Sequence, residues 1–448
     1  MSQEIYRRSL LQSALVGGFS VWAGRRAWSQ ENKSPNNQLS FACIGVGGKG
    51  ESDTFDANAH GNVVAICDVD SNTLHGAAAK YPKAKTFNDW RKMLDAMHRE
   101  IDGVTVSIPD HSHCAASSMA MHLGKAVYCQ KPLAHSIHEV RHMSELARKM
   151  HVATQMGNQG TAESSMRRNA YKVRAGAIGD VKEVHVWTNR PIWPQGIARG
   201  SEKPIPPNLD WELWIGPGKM RPFSDNYHPF AWRGWWDFGT GALGDMACHD
   251  MNLPFMALDL RDPVSVQAET STHNGDSYPQ SSRIVYEFGP NAHRPAVTMT
   301  WYDGGNKPDR GLLSDAGIGE FLDEGKVPDS GSLFVGTKGK LFSPGDGGAG
   351  GHIIGGVDVG DVKFPVSPGH WEEFVNAIRT RNAEPAMSNF PNYAGPLAET
   401  VLLGNLAVWP AEAGKGPKVE WDAKRMHAKG AGDVSAILKP TYRDGYSL

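Results

Sequence analysis

Residues 41–50, FACIGVGGKG, constrain the fold of this chain more than any other stretch. An apolar run enters Gly45-Val46-Gly47-Gly48-Lys49-Gly50, and a helix-like segment leaves it. In that setting Gly45 makes the tight turn, Gly47 lets the backbone approach a pyrophosphate, and Gly50 lets the helix lie close to the strand. Asp68 ends the next apolar run, 18 residues after Gly50. A carboxylate there accepts hydrogen bonds from a ribose diol and repels a 2′-phosphate, so the pattern predicts a NAD site and disfavours NADP.

The rhythm around this turn agrees. From residue 39 to about residue 156, the runs LSFACIGV, NVVAICDV, DGVTVSI, KAVYCQK and HVATQMG alternate with stretches such as SIHEVRHMSELARKM, whose apolar residues recur every three or four positions. Strand and helix in alternation need crossover connections, which predicts an α/β Rossmann domain with a doubly wound parallel sheet over residues 39–159. Beyond residue 160 the rhythm changes. VKEVHVWTNR, VSVQAET, SRIVYEF and AVTMTWYD read as strands of a sheet with one covered face. Residues 303–369 read as loops except for a strand pair in GSLFVGTKGKLF, and two helical stretches follow. Residues 160–448 are therefore expected to form a C-terminal α+β domain with a mainly antiparallel sheet.

The N-terminus raises a separate expectation. Arg7-Arg8 precede an apolar stretch shorter than the roughly 20 residues that span a bilayer, and Ala27-Trp28-Ser29 offers a small-residue cut ahead of Gln30. Residues 1–29 thus resemble a twin-arginine signal, read by export machinery that carries folded proteins, with residues 30–38 as a linker. The expectation is a periplasmic protein without stable membrane insertion once the signal is removed. Five cysteines, with Cys43 and Cys67 inside apolar runs, show no disulfide framework. A net charge of −2 carries no basic excess, so nucleic acid is a poor candidate partner and none is expected.

Two further motifs carry a family resemblance. SIPDHSHCAASSMAMHLGKAVYCQKPLA and FGTGALGDMACHDMN resemble the two signatures of the Gfo/Idh/MocA oxidoreductases: a strand-end proline leading to Glu-Lys-Pro, and a glycine cluster followed by aspartate and histidine four residues apart. The resemblance implies that Lys131, Asp245 and His249 are catalytic, with Asp245 and His249 also meeting the substrate. It implies a cofactor lined by Gly45, Val46, Gly47, Gly48, Lys49, Gly50, Asp68, Ser107, Pro109, His113, Gln130, Lys131 and Asn158, with His113 orienting the loop over it. Residues four apart on a helix share a face, so Asp245 is expected to hold the imidazole of His249. An imidazole titrating near 6.5 suits the base that takes a carbinol proton, while the Lys131 ammonium favours the alkoxide. One departure stands out: the family glutamate is Gln130, which leaves Lys131 without a counter-charge from its neighbour.

Gln159 follows Asn158 at the end of the last expected strand, and it is a candidate for substrate contact. Seven tryptophans lie between residues 187 and 236, and flat aromatic faces suit the C–H surface of a sugar ring. Trp193 and Trp236 are the candidates to touch substrate, with Arg190 hydrogen-bonding hydroxyls and His228, Arg233 and Asp237 nearby. His111-Ser112-His113-Cys114 and Cys248-His249-Asp250 lack structural zinc spacing, so no metal is expected.

A NAD pocket in an exported chain makes sense if the cofactor is loaded before translocation and recycled in place. The expectation is an oxidoreductase acting on a sugar, glycoside or polyol hydroxyl. The alternative is a redox-neutral, NAD-dependent glycoside hydrolase, lyase or epimerase working through a transient keto-sugar; a non-catalytic sugar sensor is a third reading. The resemblance also implies that the C-terminal sheet is large and open, with C-terminal helices able to pack back on the Rossmann domain, and that the chain forms a homodimer or homotetramer.

Overall fold

The computed structural model describes residues 38–313, 317–322, 326–382 and 384–448 of the 448-residue chain. The expected leader and residues 30–37 of the expected linker lie outside the described residues.

Six parallel strands, β1 (Leu39–Ile44), β2 (Gly61–Cys67), β3 (Lys85–Phe87), β4 (Gly103–Val106), β5 (Ala126–Cys129) and β6 (Thr154–Met156), stand in the order β3-β2-β1-β4-β5-β6. Helices α1 (Lys49–His60), α2 (Ser71–Lys80), α3 (Trp90–Met97), α4 (Asp110–His122) and α5 (Ile137–Met150) make the crossovers. The order reverses between β1 and β4, and the carboxyl ends of these strands surround the crevice where such sheets bind ligands. The inner strands are apolar because both faces are covered: Ala42, Ala65, Val104 and Val127 are fully buried. The sequence reading misses β3, since Lys85-Thr86-Phe87 is a three-residue, partly exposed edge strand with no buried pattern to detect, and it also passes over α3 although Trp90, Met93, Leu94 and Met97 are buried at helical spacing.

After α6 (Ser164–Arg174) the chain builds a second sheet from β7 (Val181–Trp187), β8 (Ser265–Thr270), β9 (Ser282–Phe288), β10 (Val297–Tyr302), β11 (Gly331–Gly336), β12 (Gly339–Pro344), β13 (His352–Gly355), β14 (Gly414–Lys415), β15 (Val419–Asp422) and β16 (His427–Lys429). Its order is β13-β12-β11-β7-β10-β9-β8-β15-β16, with β14 also paired to β8. The pairs are antiparallel except β7 with β10, so the sheet is mixed. Its helices are α7 (Trp211–Ile215), α8 (Gly241–Asp250), α9 (Asn252–Leu258), α10 (Arg310–Leu313), α11 (His370–Thr380), α12 (Gly395–Val408) and α13 (Ser435–Leu438). α12 is apolar nearly all round because it is buried among β8, α5 and α8. α11 returns to the first sheet, where Trp371 stacks on Tyr128 of β5 with ring centroids 4.4 Å apart.

Residues 188–240 join β7 to α8 and pack around their own aromatic cluster, which includes Trp211, Trp214, Tyr227, Trp235 and Phe238. This connection docks on the Rossmann domain at the end of β2. The Ser71 amide donates to the Asn208 carbonyl (2.8 Å), and the Asp210 amide donates to the Val69 carbonyl (2.9 Å). The C-terminal segment fastens it: Arg443 donates from Nε to the Gly216 carbonyl (2.6 Å) and from its amide to the Pro217 carbonyl (3.1 Å). Beside it the Tyr442 hydroxyl donates to Glu139, whose carboxylate completes the capping box of α5. Residues 39–448 form one compact unit. Its five cysteines are unpaired and buried. Among the described residues no helix is long and apolar enough to cross a membrane.

Candidate active site

The glycine turn is built by exclusion. Gly45 sits at φ +76°, and a Cβ there would lie 2.3 Å from the Ser107 carbonyl oxygen. A Cβ on Gly50 would lie 2.1 Å from the Gly45 carbonyl oxygen, and one on Gly47 would lie 2.7 Å from the Thr73 methyl. Gly48 caps α1 without a side-chain hydrogen bond, and nothing stands within 4 Å of the space a Cβ would take. The N-terminus of α1 therefore opens on free space, with the positive end of its dipole available to an anion. At the tip of β2, Asp68 accepts from the Val46 amide (3.0 Å) and the Asp70 amide (2.9 Å), while burial raises its pKa. An uncapped helix end, a turn too tight for side chains and a carboxylate beside it fit a dinucleotide: Gly47, Gly48 and Lys49 would hold its pyrophosphate through backbone amides, and Asp68 its ribose.

Several expected cofactor contacts are engaged elsewhere. Lys49 turns its ammonium back along α1 to Ser52 and Asp53, both at 2.7 Å, so its amide rather than its side chain belongs to the turn. His113 is buried, with Nδ1 2.9 Å from the Pro132 carbonyl and Nε2 2.7 Å from the Ile108 carbonyl. With a carbonyl facing each ring nitrogen, His113 ties the Pro132 loop to the end of β4. Pro109 is the N-cap residue of α4, and the Ser107 hydroxyl donates to Asp53 (2.7 Å). The Gln130 amide donates to the same Asp53 oxygen (2.8 Å). Asp53, fully buried, is the group the sequence reading misses: a carboxylate in a polar helix looks like a solvated face.

Lys131, after β5, and Asp245, on α8, meet although they are 114 residues apart. The Lys131 ammonium donates to both the side-chain Oδ1 and the backbone carbonyl of Asp245, each at 2.6 Å. This corrects two expectations. Asp245 is held by Lys131 rather than holding His249, and it supplies the counter-charge that Gln130 lacks. Burial works against the Asp245 carboxylate, but Lys131, Arg233 and Arg190 outweigh it and keep its pKa well below the usual range. Arg233 Nη1 lies 3.3 Å from Asp245 Oδ1 and Arg190 Nε 3.8 Å from Oδ2. That Arg233 nitrogen, buried, makes no hydrogen bond to the described residues and is a donor in reserve beside the pair.

His249 follows Asp245 by four residues on α8 and is partly exposed. Desolvation, then the positive charge of Lys131, pushes its pKa down to about 3 rather than leaving it near 6.5. The imidazole is therefore neutral at working pH, able to take a proton but a weaker base than one titrating near 6.5. Neutral base, anchored ammonium and nearby guanidinium groups form one cluster able to accept a hydroxyl proton and stabilise the oxyanion left behind.

The remaining candidates divide. Asn158 is buried; its Oδ1 accepts from Ser388 (2.5 Å), and its Nδ2 has no hydrogen-bond partner among the described residues. Gln159 donates to the Tyr128 hydroxyl (3.1 Å). Trp193 is buried with its Nε1 on Gln195 (2.9 Å) and Arg233 6.0 Å from its ring, so it backs the guanidinium. Trp236 departs from expectation: it stacks on Tyr278 at 3.7 Å, meets Trp409 edge-on and is 6% exposed, because the largest aromatic faces are worth most when buried. His228 is near Asp70 (3.9 Å) and Asp237 pairs with Arg199 (3.0 Å), so neither joins the Lys131 cluster. Among the described residues no group of three or more His, Cys, Asp or Glu is placed to hold a metal ion.

Comparison with known proteins gives the same two parts. Residues 39–158 match the model of the oxidoreductase family NAD-binding Rossmann fold, and residues 180–293 match that of the oxidoreductase family C-terminal alpha/beta domain. The D-xylose 1-dehydrogenase (NADP+) of Haloarcula marismortui is 27% identical over 40% of this chain and 49% of its own length. The D-glucoside 3-dehydrogenase of Escherichia coli is 33% identical over 20% of this chain and 24% of its own. The chain thus spans about half, or less, of the length of these curated relatives. The WlbA dehydrogenase of Bordetella pertussis, solved with NADH and UDP-GlcNAcA, superposes with a TM-score of 0.58 at 15% identity, over 84% of this chain and 96% of that one. The family models, matched in order over just over half of the chain, fall on the same two sheets whose junction brings Lys131 to Asp245, and the chain belongs to the Gfo/Idh/MocA oxidoreductase family.

Proposed function

We propose that this chain is a NAD-dependent oxidoreductase acting on a CH–OH group of a sugar, glycoside or polyol, with a cofactor held tightly and recycled in place by returning its hydride to a second, carbonyl-bearing substrate. The observation that carries this reading is the Lys131 ammonium bonded twice to Asp245, one helical turn before a neutral His249. Bound NAD supplies the hydride acceptor. His249 takes the hydroxyl proton, Lys131 stabilises the alkoxide, and Arg190 and Arg233 hold Asp245 so that the ammonium keeps its direction. The names of the curated relatives, a D-xylose and a D-glucoside dehydrogenase, support a carbohydrate hydroxyl as substrate.

Asp68 supports NAD over NADP. Asp68→Ser is expected to weaken NADH binding by about tenfold or more, the scale of a hydrogen bond to a charged group, and to improve NADPH binding. Fluorescence titration with both nucleotides checks this; unchanged preference would remove Asp68 from the selection.

Tight retention is supported by the 188–240 connection, pinned to Val69 and Ser71 immediately after Asp68 and clasped by Arg443. Retention also agrees with the twin-arginine leader read at Arg7-Arg8 and with a periplasmic site of action, where the cofactor is loaded before export. It serves equally a redox-neutral enzyme that removes a hydride, cleaves a bond and returns the hydride. One experiment separates the two. The purified protein is denatured to identify the released small molecule by absorbance and mass, and the native protein is incubated with candidate glucosides while product mass is followed. An oxidised sugar is the expected product; a cleaved, redox-unchanged product establishes the redox-neutral reaction, and a protein that releases no dinucleotide and binds none overturns the proposal.

A further inference from the structure

The buried carboxylate beneath the glycine turn has a role that the Lys131 cluster does not explain. Asp53, three residues beyond Gly50, is fully buried, and its carboxylate takes three donors, one from the first residue of its own helix and two from the ends of β4 and β5. Oδ1 accepts from Lys49 (2.7 Å), the first residue of α1, directly after the glycine turn that follows β1. Oδ2 accepts from Ser107 (2.7 Å) at the end of β4 and from Gln130 (2.8 Å) at the end of β5. These are the strand ends that frame the crevice, and Gln130 is bonded directly to Lys131. Gln130 is itself held in place from behind: a Cβ on Gly157 would lie 2.4 Å from its Nε2.

We propose that Asp53 is a positioning residue for the cofactor side of the site, carrying on α1 the carboxylate that the family signature carries at position 130. The chemistry of the pair explains the exchange. A buried site of this kind accommodates one carboxylate and one donor facing it; two carboxylates at hydrogen-bonding distance repel, and one must take up a proton. With aspartate on α1, the residue before Lys131 must donate, and glutamine does so without charge. Gln130 is then the partner that Asp53 requires rather than a weakened glutamate. Asp53 acts on the site through that amide, through Ser107, whose carbonyl oxygen limits position 45, and through Lys49 at the uncapped end of α1.

The inference rests on reading the crevice as a dinucleotide site, and its test keeps the two apart. Wild type, Asp53→Asn, Gln130→Glu and the exchange variant Asp53→Asn/Gln130→Glu are each titrated with NADH, followed by nicotinamide fluorescence, at a temperature where circular dichroism shows all four folded. Each single variant is expected to bind NADH about tenfold or more weakly, by loss of a hydrogen bond to a charged group or by carboxylate repulsion, and to lower kcat with little change in the sugar KM. The exchange variant is expected to recover binding to within about threefold of wild type, since it restores one carboxylate and one amide. Folded single variants that bind NADH like wild type, or an exchange variant no better than the weaker single, would overturn the role of Asp53 while leaving the dinucleotide site intact. A wild-type protein that binds neither NADH nor NADPH overturns both. Should Asp53→Asn not fold, Gln130→Glu against Gln130→Met gives the same decision: the carboxylate is expected to be the more damaging substitution, and the reverse order sinks the proposal.

Discussion

Lys131→Met is expected to lower kcat by about 10²–10³, the scale on which one preorganised electrostatic donor contributes to a transition state, while the protein keeps its bound nucleotide. The ammonium is the site's link between two domains: it leaves the end of β5 and reaches both oxygen types of Asp245 on α8. Methionine preserves the length and apolar stem but removes the charge. Stability should fall as well, because Asp245 is left in a buried setting. The loss should stay below the roughly 3–5 kcal/mol seen when a buried charge loses its partner, since Arg233 at 3.3 Å and Arg190 at 3.8 Å remain. Lys131→Arg is not expected to rescue, because a planar guanidinium cannot reproduce two bonds converging on one nitrogen. Stopped-flow turnover, nucleotide content and chemical unfolding check these outcomes together; an active Lys131→Met variant would leave the ammonium without a catalytic role.

The second large effect is expected at His249. His249→Ala should reduce turnover by about 10²–10⁴, the usual range for a positioned acid or base, with NADH affinity preserved. The pH profile supplies an independent reading. Burial and Lys131 hold the imidazolium form down to about 3, so the base form persists far below the ordinary histidine range. The kcat/KM of the free enzyme should therefore show no acid limb between pH 5 and 7. A limb near 6.5 would mean that the imidazole is solvated and not held down by Lys131. Stability moves with the same group: the unfolded chain protonates this imidazole near 6.5 and the folded chain only near 3, so His249 on its own favours unfolding progressively as pH falls through that window.

Much of this molecule is legible in its amino-acid order, and the exceptions have common causes. β1, β2, β4 and β5 are visible because a parallel strand covered on both faces must be an apolar run, and the glycine turn is visible because no other residue tolerates its contacts. β3, β13 and the short pairs after residue 413 are invisible because partly exposed strands of two to four residues carry no pattern. Spacing placed Asp245 and His249 on one helix but assigned the aspartate the wrong partner, since local periodicity says nothing about a lysine from another domain. Trp236 shows the same limit: an aromatic in a sugar-binding region and one in the core read alike until Tyr278 is seen stacked on it. Asp53 needs its helix brought against the ends of β4 and β5 before its purpose is visible.

The five thiols have a consequence for how the protein can be handled. Burial pushes Cys43 up to about 11 and Cys248 to about 12, and it raises Cys67, Cys114 and Cys129 as well. Thiols buried and shifted upward in this way are expected to carry almost no nucleophilic thiolate at neutral pH, so the native molecule should react with oxidants and alkylating reagents as though it were cysteine-free. It can pass from a reducing to an oxidising milieu unmarked. Any label that does appear on these sulfurs therefore times the opening of the interior, which makes a maleimide or iodoacetamide reaction a clock for transient unfolding.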